Sequence, residues 1–372
     1  MRPTYIPSLD GLRAFSILVV FLSHAGMRGV VPGYFGVLVF FLLSGFLITT
    51  LLRTEFEAYG SISLGAFYRR RVYRIWPPFY FFLALATAVQ VLTEVNNRQI
   101  SPSLFGLQAA HLANYAVIWH GWDSGRAVGT FLYWSLAVEE HFYLVFPVFY
   151  LWMLKASFSR DKQSRILMTV CIAVLLWRCI LVFGMDANKE RIYVATDTRF
   201  DSILFGCWLA VAANPWLDPP RMSVRLLNFV AVPIGLGVVV LSFLPRQFWF
   251  DQTLRYTLQV IGLMPLFVAA IRSPDMWPWR ILNFRAVRFA GVLSYSAYLS
   301  HATIIAWVKA WVGGPALMQG ILSFVLVLLI SYAVHVLIEQ PFARRRKRNS
   351  PDRSHGSRSG EPLTDGFPKV SP

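Results

Sequence analysis

Arg13 and His24 lie eleven residues apart in a stretch, 12–25, that is otherwise apolar enough to cross a bilayer. Eleven residues are almost three helical turns, so an unbroken helix projects both side chains from nearly one face, roughly 16 Å apart at about 1.5 Å per residue. Ionisable groups inside a span are costly and mark a site facing the protein interior. One near each end of a helix describes a path across the membrane rather than a site on one side of it. Four further groups have chemistry in reach. Arg71 and Arg74, in Tyr68-Arg-Arg-Arg-Val-Tyr-Arg-Ile-Trp-Pro-Pro78, are three apart and share a helix face. Two guanidiniums there form a clamp for phosphate; charge anchoring at a membrane surface accounts for the same residues. Glu139 and Glu140, followed by His141, fall in the first turns of a span entering from the outside. Carboxylates at that depth need either a function or cationic partners. Arg199 and Asp201 stand at the outer end of another span, where they can bridge each other or Arg199 can answer Glu139 or Glu140. His301, ending Leu293-Ser-Tyr-Ser-Ala-Tyr-Leu-Ser-His301, lies well inside a span, either as a hydrogen-bonded packing residue or as a working imidazole.

Depth sorts these groups. His24, Glu139 and Arg199 fall toward the outer surface, while Arg71 and Arg74 fall at the inner surface beside Arg13. A carboxylate that orients an imidazole is the usual furnishing of a general base. Ser nucleophile elbows, P-loops and metal-ligand spacings are missing from the sequence. The residues alone thus offer an outer base and an inner anion clamp.

The elements that position them are membrane spans. Of 372 residues, 56% are hydrophobic and only 15% charged, well outside the range of soluble domains. Ten segments suit a crossing, near 12–27, 34–52, 75–93, 134–154, 166–184, 198–213, 224–244, 256–271, 288–311 and 317–339, the third and sixth being short or charged. The expectation is an all-α polytopic integral membrane protein of about ten transmembrane helices. With the N-terminus in the cytoplasm, 25 Lys and Arg fall on inner segments and seven on outer ones, the bias that sets membrane orientation. Both termini are therefore expected in the cytoplasm, and the net charge of +16 reflects topology rather than nucleic-acid binding. The basic run 344–348 fits the same account or a contact with anionic membrane lipids.

The first span ends without a clear cleavage site and is expected to be retained. Cys171, Cys179 and Cys207 all fall inside expected spans, without metal or redox spacing. Residues 1–343 are expected to form the transmembrane domain and 344–372 a basic, disordered cytoplasmic tail. The outer connection between Glu94 and Tyr133 is too long for a turn. Its His111, Trp119, His120 and Trp122 suit either stacking on a sugar or an interfacial aromatic belt.

Several motifs share one order and spacing with a known family: Leu9-Asp-Gly-Leu-Arg13 with His24, Phe40-Phe-Leu-Leu-Ser-Gly-Phe-Leu-Ile48, the Arg71/Arg74 pair before Ile75 and Pro77, Ser135-Leu-Ala-Val-Glu139 through Phe142-Tyr143, Ser294-Tyr-Ser-Ala-Tyr298 to His301, and Ile338-Glu-Gln-Pro-Phe342. Over roughly residues 5–342 the chain resembles the acyltransferase 3 family, ten-helix bacterial inner-membrane enzymes that O-acylate, most often O-acetylate, carbohydrates from cytoplasmic acyl-CoA. The resemblance implies that His24 is the base for an acceptor hydroxyl, or a transient acyl carrier, with Glu139 orienting it. Arg71 and Arg74 would hold the phosphates of CoA, and Arg13 would line the route between. Glu140, Arg199, Asp201 and His301 are the further substrate-binding candidates. Acyl-CoA, acetyl-CoA first, is the implied donor substrate, with no bound cofactor or metal; the acceptor is a carbohydrate or glycoconjugate of open identity. His141 stands where the family often has Gln and is secondary. No appended extracytoplasmic hydrolase-like domain is expected, so a second transfer step would need a separate protein. A transporter or flippase is the competing class, since intramembrane charge and a cross-membrane path suit it equally.

Overall fold

The computed structural model describes residues 5–93, 99–122 and 125–348. Helix α1 (Pro7–Leu22) opens with a proline, which costs no backbone bond there, and runs into one π-helical turn, Ser23–Met27. Helix α2 (Gly33–Tyr59) closes on Gly60 in the left-handed conformation, φ 66°. Helix α3 (Leu64–Thr93) carries Pro77 and Pro78 within it. The outer connection holds α4 (Pro102–Ala109) and α5 (Ala113–His120), and a 3-10 turn, Thr130–Tyr133, leads into α6 (Trp134–Lys155). Helix α7 (Arg160–Phe183) starts at Ser159, whose hydroxyl accepts the Lys162 amide. Short α8 (Lys189–Val194) precedes α9 (Thr196–Ala212). Then α10 (Val224–Leu226), a π turn (Leu227–Ala231) and α11 (Val232–Leu241) form one interrupted rod. Next come α12 (Phe248–Gln252), α13 (Leu254–Arg272), α14 (Arg285–Val292) and α15 (Ser294–Trp311). Helix α16 (Ala316–Val334) passes through a third π turn, His335–Glu339, into α17 (Gln340–Arg348). Regular structure among the described residues is helical throughout.

Seven helical rods are long and apolar enough to cross a membrane: those starting at Pro7, Gly33, Leu64, Arg160, Val224, Leu254 and Ala316. The other three expected spans are helices, α6, α9 and α15, but fall short on length or composition. The cause is the chemistry they carry. Helix α6 holds Glu139, Glu140 and His141, α9 has only 17 residues and includes Arg199 and Asp201, and α15 holds Ser294, Ser296, Ser300 and His301. The apolar rods α7, α11 and α16 present Ile172, Leu176, Ile234, Leu241, Ile321 and Leu329 outward, a surface that belongs in lipid.

Two close helix crossings fix the interior. A Cβ on Gly45 of α2 would lie 1.9 Å from the Ile203 carbonyl oxygen, and one on Gly206 of α9 2.2 Å from that of Leu42, so only glycine lets these backbones approach. On α1, Gly11 meets the Leu282 carbonyl in the same way, and Gly291 of α14 meets that of Asp10. These contacts set the positions of Ser44 and Arg13.

One polar knot ties the helix ends together. Arg53 of α2 donates to both Asp218 carboxylate oxygens at 3.1 and 2.6 Å, Arg160 of α7 donates at 2.6 Å, and Arg272 of α13 donates to the Asp218 carbonyl at 2.9 Å. Burial pushes the Asp218 carboxyl up, but the bonds from Arg53 and Arg160 outweigh it and hold it at about 2. The boundary expected at 343 falls inside α17, which keeps residues 344–348 helical. The rest of the expected tail lies outside the described residues, as do 94–98 and 123–124 of the outer connection.

Candidate active site

The sequence places a carboxylate near the outer face and an arginine clamp near the inner one; the structure puts them in one cavity. About 100 Å³ in volume, it is lined by Arg13 of α1, Ser44 of α2, Arg71 and Arg74 of α3, and Glu139, Glu140 and Tyr143 of α6, with Ser294, Tyr295 and Tyr298 of α15. At about 10–15 Å³ for a water-sized sphere, the space suits a phosphate or a slender chain rather than a whole nucleotide. Glu139 accepts the Ser44 hydroxyl at 2.6 Å, and the Tyr143 hydroxyl donates to Ser44 Oγ at 3.2 Å. Arg13 is held by Asp10 at 2.9 Å. Arg71 stands over the rings of Phe67 and Tyr143, at 5.4 and 5.5 Å, which steadies its guanidinium. Glu140 accepts a long bond from Trp76 Nε1, 3.4 Å. Its position on α6 therefore differs from that of Glu139, as adjacent residues on a helix must.

His24 is elsewhere. It sits in the π turn after α1, where Gly26 takes φ 124°, so the unbroken helix that would align it with Arg13 ends at Leu22. Single π turns of this kind mark functional sites often enough to be noticed. His24 Nδ1 bonds to the Val20 carbonyl at 2.8 Å. A carbonyl only accepts, so the neutral ring carries its proton on Nδ1 and offers a lone pair at Nε2. Its ring neighbours are His301, 5.2 Å between centres, and Phe131 at 6.2 Å. The structure thus does not bring Glu139 to His24: the carboxylate is bonded to Ser44, and the imidazole is oriented by its own backbone and a second histidine. A short path joins the two places. Ser135 and Tyr298, both on the cavity wall, share a 2.6 Å hydrogen bond, and the Tyr298 ring lies 5.6 Å from His301.

The expected Arg199–Asp201 bridge is replaced by another pair. Asp201 binds Arg178 of α7 at 2.7 Å, both side chains fully buried, and the Thr257 hydroxyl donates to Asp201 at 3.2 Å. Arg199 turns the other way, its guanidinium 3.9 Å from the centre of the Tyr256 ring and near Tyr193 and Phe41. None of its three nitrogens has a hydrogen-bond partner among the described residues, so it answers neither Glu139 nor Glu140. Arg178 escaped the sequence reading although a lone arginine in an apolar run was its signal. Ser44, Ser135 and Tyr298 carried none beyond their place in motifs.

Of the outer-connection aromatics, Trp122 reaches the histidine region: its ring packs edge-on against Phe131, 6.1 Å away, and its Nε1 donates to Glu190. Trp119 instead stacks on Tyr115, and His111 stacks on Phe79 at 4.4 Å. Burial, with His141 adding, pushes the His111 imidazole down to about 4, so it is neutral. His141 bonds to the Thr196 hydroxyl at 2.8 Å, away from Glu139 and outside the cavity lining.

Comparison with known proteins identifies the family. The sequence model described as the acyltransferase domain, acyltransferase 3, matches residues 6–337. The chain is 30% identical over 358 residues to the peptidoglycan O-acetyltransferase OatA of Listeria monocytogenes, covering 91% of this chain and 56% of that protein. It is 28% identical over 365 residues to the O-acetyltransferase OatA of Staphylococcus aureus, covering 92% and 58%. It therefore spans a little over half the length of these relatives. No solved structure matches it. The apolar helical rods and a family match over nearly the whole chain together make this a bacterial membrane protein and a member of the acyltransferase 3 family.

Proposed function

We propose that this protein moves an acetyl group from cytoplasmic acetyl-CoA to a hydroxyl of a carbohydrate or glycoconjugate on the outer side of the bacterial inner membrane. The observation that carries the reading is the pairing of an arginine-lined cavity with a histidine pair, joined through Ser135 and Tyr298. Arg71 and Arg74, with Arg13 beside them, suit the phosphates of CoA, because guanidinium forks match phosphate oxygens. The narrow cavity beyond them suits the pantetheine arm. His24, with Nδ1 tied down and Nε2 open, suits a general base. The acceptor O–H bond breaks, its proton goes to Nε2, and the oxygen forms a bond to the thioester carbonyl carbon. The C–S bond then breaks, and the CoA thiolate leaves with the electron pair and takes up a proton. Trp122 and Phe131 suit the apolar face of a sugar above His24, and the relative named for peptidoglycan fits an acceptor of that class.

This reading takes α6, α9 and α15 as crossings too, giving ten, with both termini in the cytoplasm. The supporting observations are the 25-to-7 charge division and the burial of Ser135, Arg199, Asp201, Ser296 and His301 of these three helices inside the bundle, where a membrane tolerates them. A transporter reading has no support from the relatives. The test is direct: purified protein in nanodiscs should release CoA from acetyl-CoA only when a carbohydrate acceptor is present, and reporter fusions should place residue 120 outside and residue 350 inside. Release of CoA without ester formation, or a reporter at 350 facing outward, contradicts the proposal.

A further inference from the structure

His301 is fully buried on α15, and the sequence leaves open whether it packs or works. Its Nδ1 bonds to the Tyr298 carbonyl at 2.8 Å and lies 3.2 Å from that of Ala297. Carbonyls only accept, so the neutral ring carries its proton on Nδ1 and a lone pair on Nε2. Because Nδ1 is tied to its own helix, Nε2 projects off that helix. It is buried and has no hydrogen-bond partner among the described residues. A buried acceptor left without a donor is destabilising, so a group that donates to this nitrogen would bind favourably.

The surroundings are built to hold this ring. Gly129, in the left-handed conformation at φ 86°, brings the outer connection onto α15 so closely that a Cβ there would lie 2.3 Å from the Thr303 amide nitrogen. The Thr303 hydroxyl fastens the same segment by donating to the Val128 carbonyl at 3.0 Å. That segment delivers Phe131 to His24. Two imidazoles 5.2 Å apart thus have the same tautomer, each offering an acceptor nitrogen and no proton to the other.

Resting on the acyl-transfer reading above, we infer that His301 Nε2 is an acceptor-binding group that takes a hydrogen bond from a second donor on the acceptor, next to the hydroxyl that yields its proton to His24. The acceptor is then a sugar with a free O–H or N–H adjacent to the acetylated hydroxyl, not an isolated alcohol. The acetyl group has no hydrogen to donate. The amide N–H of the pantetheine arm is another source of such a bond, and the experiment separates the two.

Purified protein in nanodiscs is supplied with acetyl-CoA and with methyl β-D-glucopyranoside or each of its monodeoxy analogues, and the ester is located and quantified by mass spectrometry. Removing the hydroxyl beside the acetylated one should lower kcat/KM about tenfold or more, the scale of one lost bond to a buried partner. In His301→Leu, which keeps bulk but accepts nothing, the parent sugar should fall to the level of that analogue and the analogue should lose less than twofold. His301→Gln, whose side-chain carbonyl accepts, should restore part of the discrimination. The KM for acetyl-CoA should stay unchanged in both variants. Equal discrimination in wild type and His301→Leu returns His301 to a packing role and overturns the inference alone. A raised KM for acetyl-CoA in His301→Leu assigns the bond to the pantetheine amide and also overturns it. Failure to acetylate any of these sugars overturns it together with the reading it rests on.

Discussion

The arginine cavity and the histidine pair solve opposite electrostatic problems within one bundle. In the cavity, three guanidiniums face two carboxylates, beside the hydroxyls of Ser44 and Tyr143. At the histidine pair, two rings are each fixed by a backbone carbonyl at Nδ1, which leaves Nε2 for proton transfer or binding. Such a division separates binding an anion from moving a proton. Damage to one region should therefore leave the function of the other measurable.

The largest effect should come from His24→Ala. A general base contributes about 10²–10⁴-fold to a rate, so acyl transfer should fall by that order at matched membrane abundance. Turnover near wild type would pass the role to His301 and collapse the contrast.

A second contrast, between the buried Arg178 of α7 and Arg199 of α9, predicts a difference in stability. Arg178→Leu leaves Asp201 buried and unpaired and should cost about 3–5 kcal/mol in denaturant unfolding, as broken buried pairs do. Arg199→Leu abandons no carboxylate, so its cost should be clearly smaller. Equal losses would mean that Arg199 has a role in holding the fold that its aromatic neighbours do not reveal.

Within the cavity, Arg71→Lys should weaken acetyl-CoA binding by about tenfold while changing kcat little, because an ammonium lacks the paired donors that match phosphate. Unchanged affinity would make Arg71 a surface anchor. The smallest effect concerns the Asp218 knot, which holds the frame and not the site. Its carboxyl is lowered from an ordinary 3.8 to about 2 in the folded protein. The stabilisation is complete above about 4 and disappears as the pH falls through about 2. Acid unfolding should therefore shift to higher pH in Asp218→Asn, with no change in transfer rate at neutral pH.

Much of this was legible in the sequence because apolar runs and their charged interruptions announce themselves. The three expected spans that fall short on length or composition are those carrying Glu139, Arg199 and His301. Arg13, Arg71 and Arg74 were found as a group because cations near an inner surface stand out. Two things were hidden. The π turn at Ser23–Met27 ends the helical periodicity that would have set His24 above Arg13, and nothing in Ser-His-Ala-Gly-Met announces it beyond Gly26. The partners of Glu139 and Asp201 come from α2 and α7, 95 residues away for Ser44 and on a different helix for Arg178. Long-range pairing of that kind leaves no mark on local spacing, so proximity in sequence suggested Arg199 for Asp201, and shared depth with the family resemblance suggested His24 for Glu139.

The central claim, that donor binding and proton removal are housed separately, is tested most directly by measuring acetyl-CoA affinity by isothermal titration calorimetry in nanodiscs. His24→Ala and the double variant Arg71→Ala/Arg74→Ala would be compared with wild type. The account predicts wild-type affinity in His24→Ala and an affinity lower by at least tenfold in the double variant, with transfer severely impaired in both. Loss of acetyl-CoA binding in His24→Ala, or its retention in the double arginine variant, would contradict it.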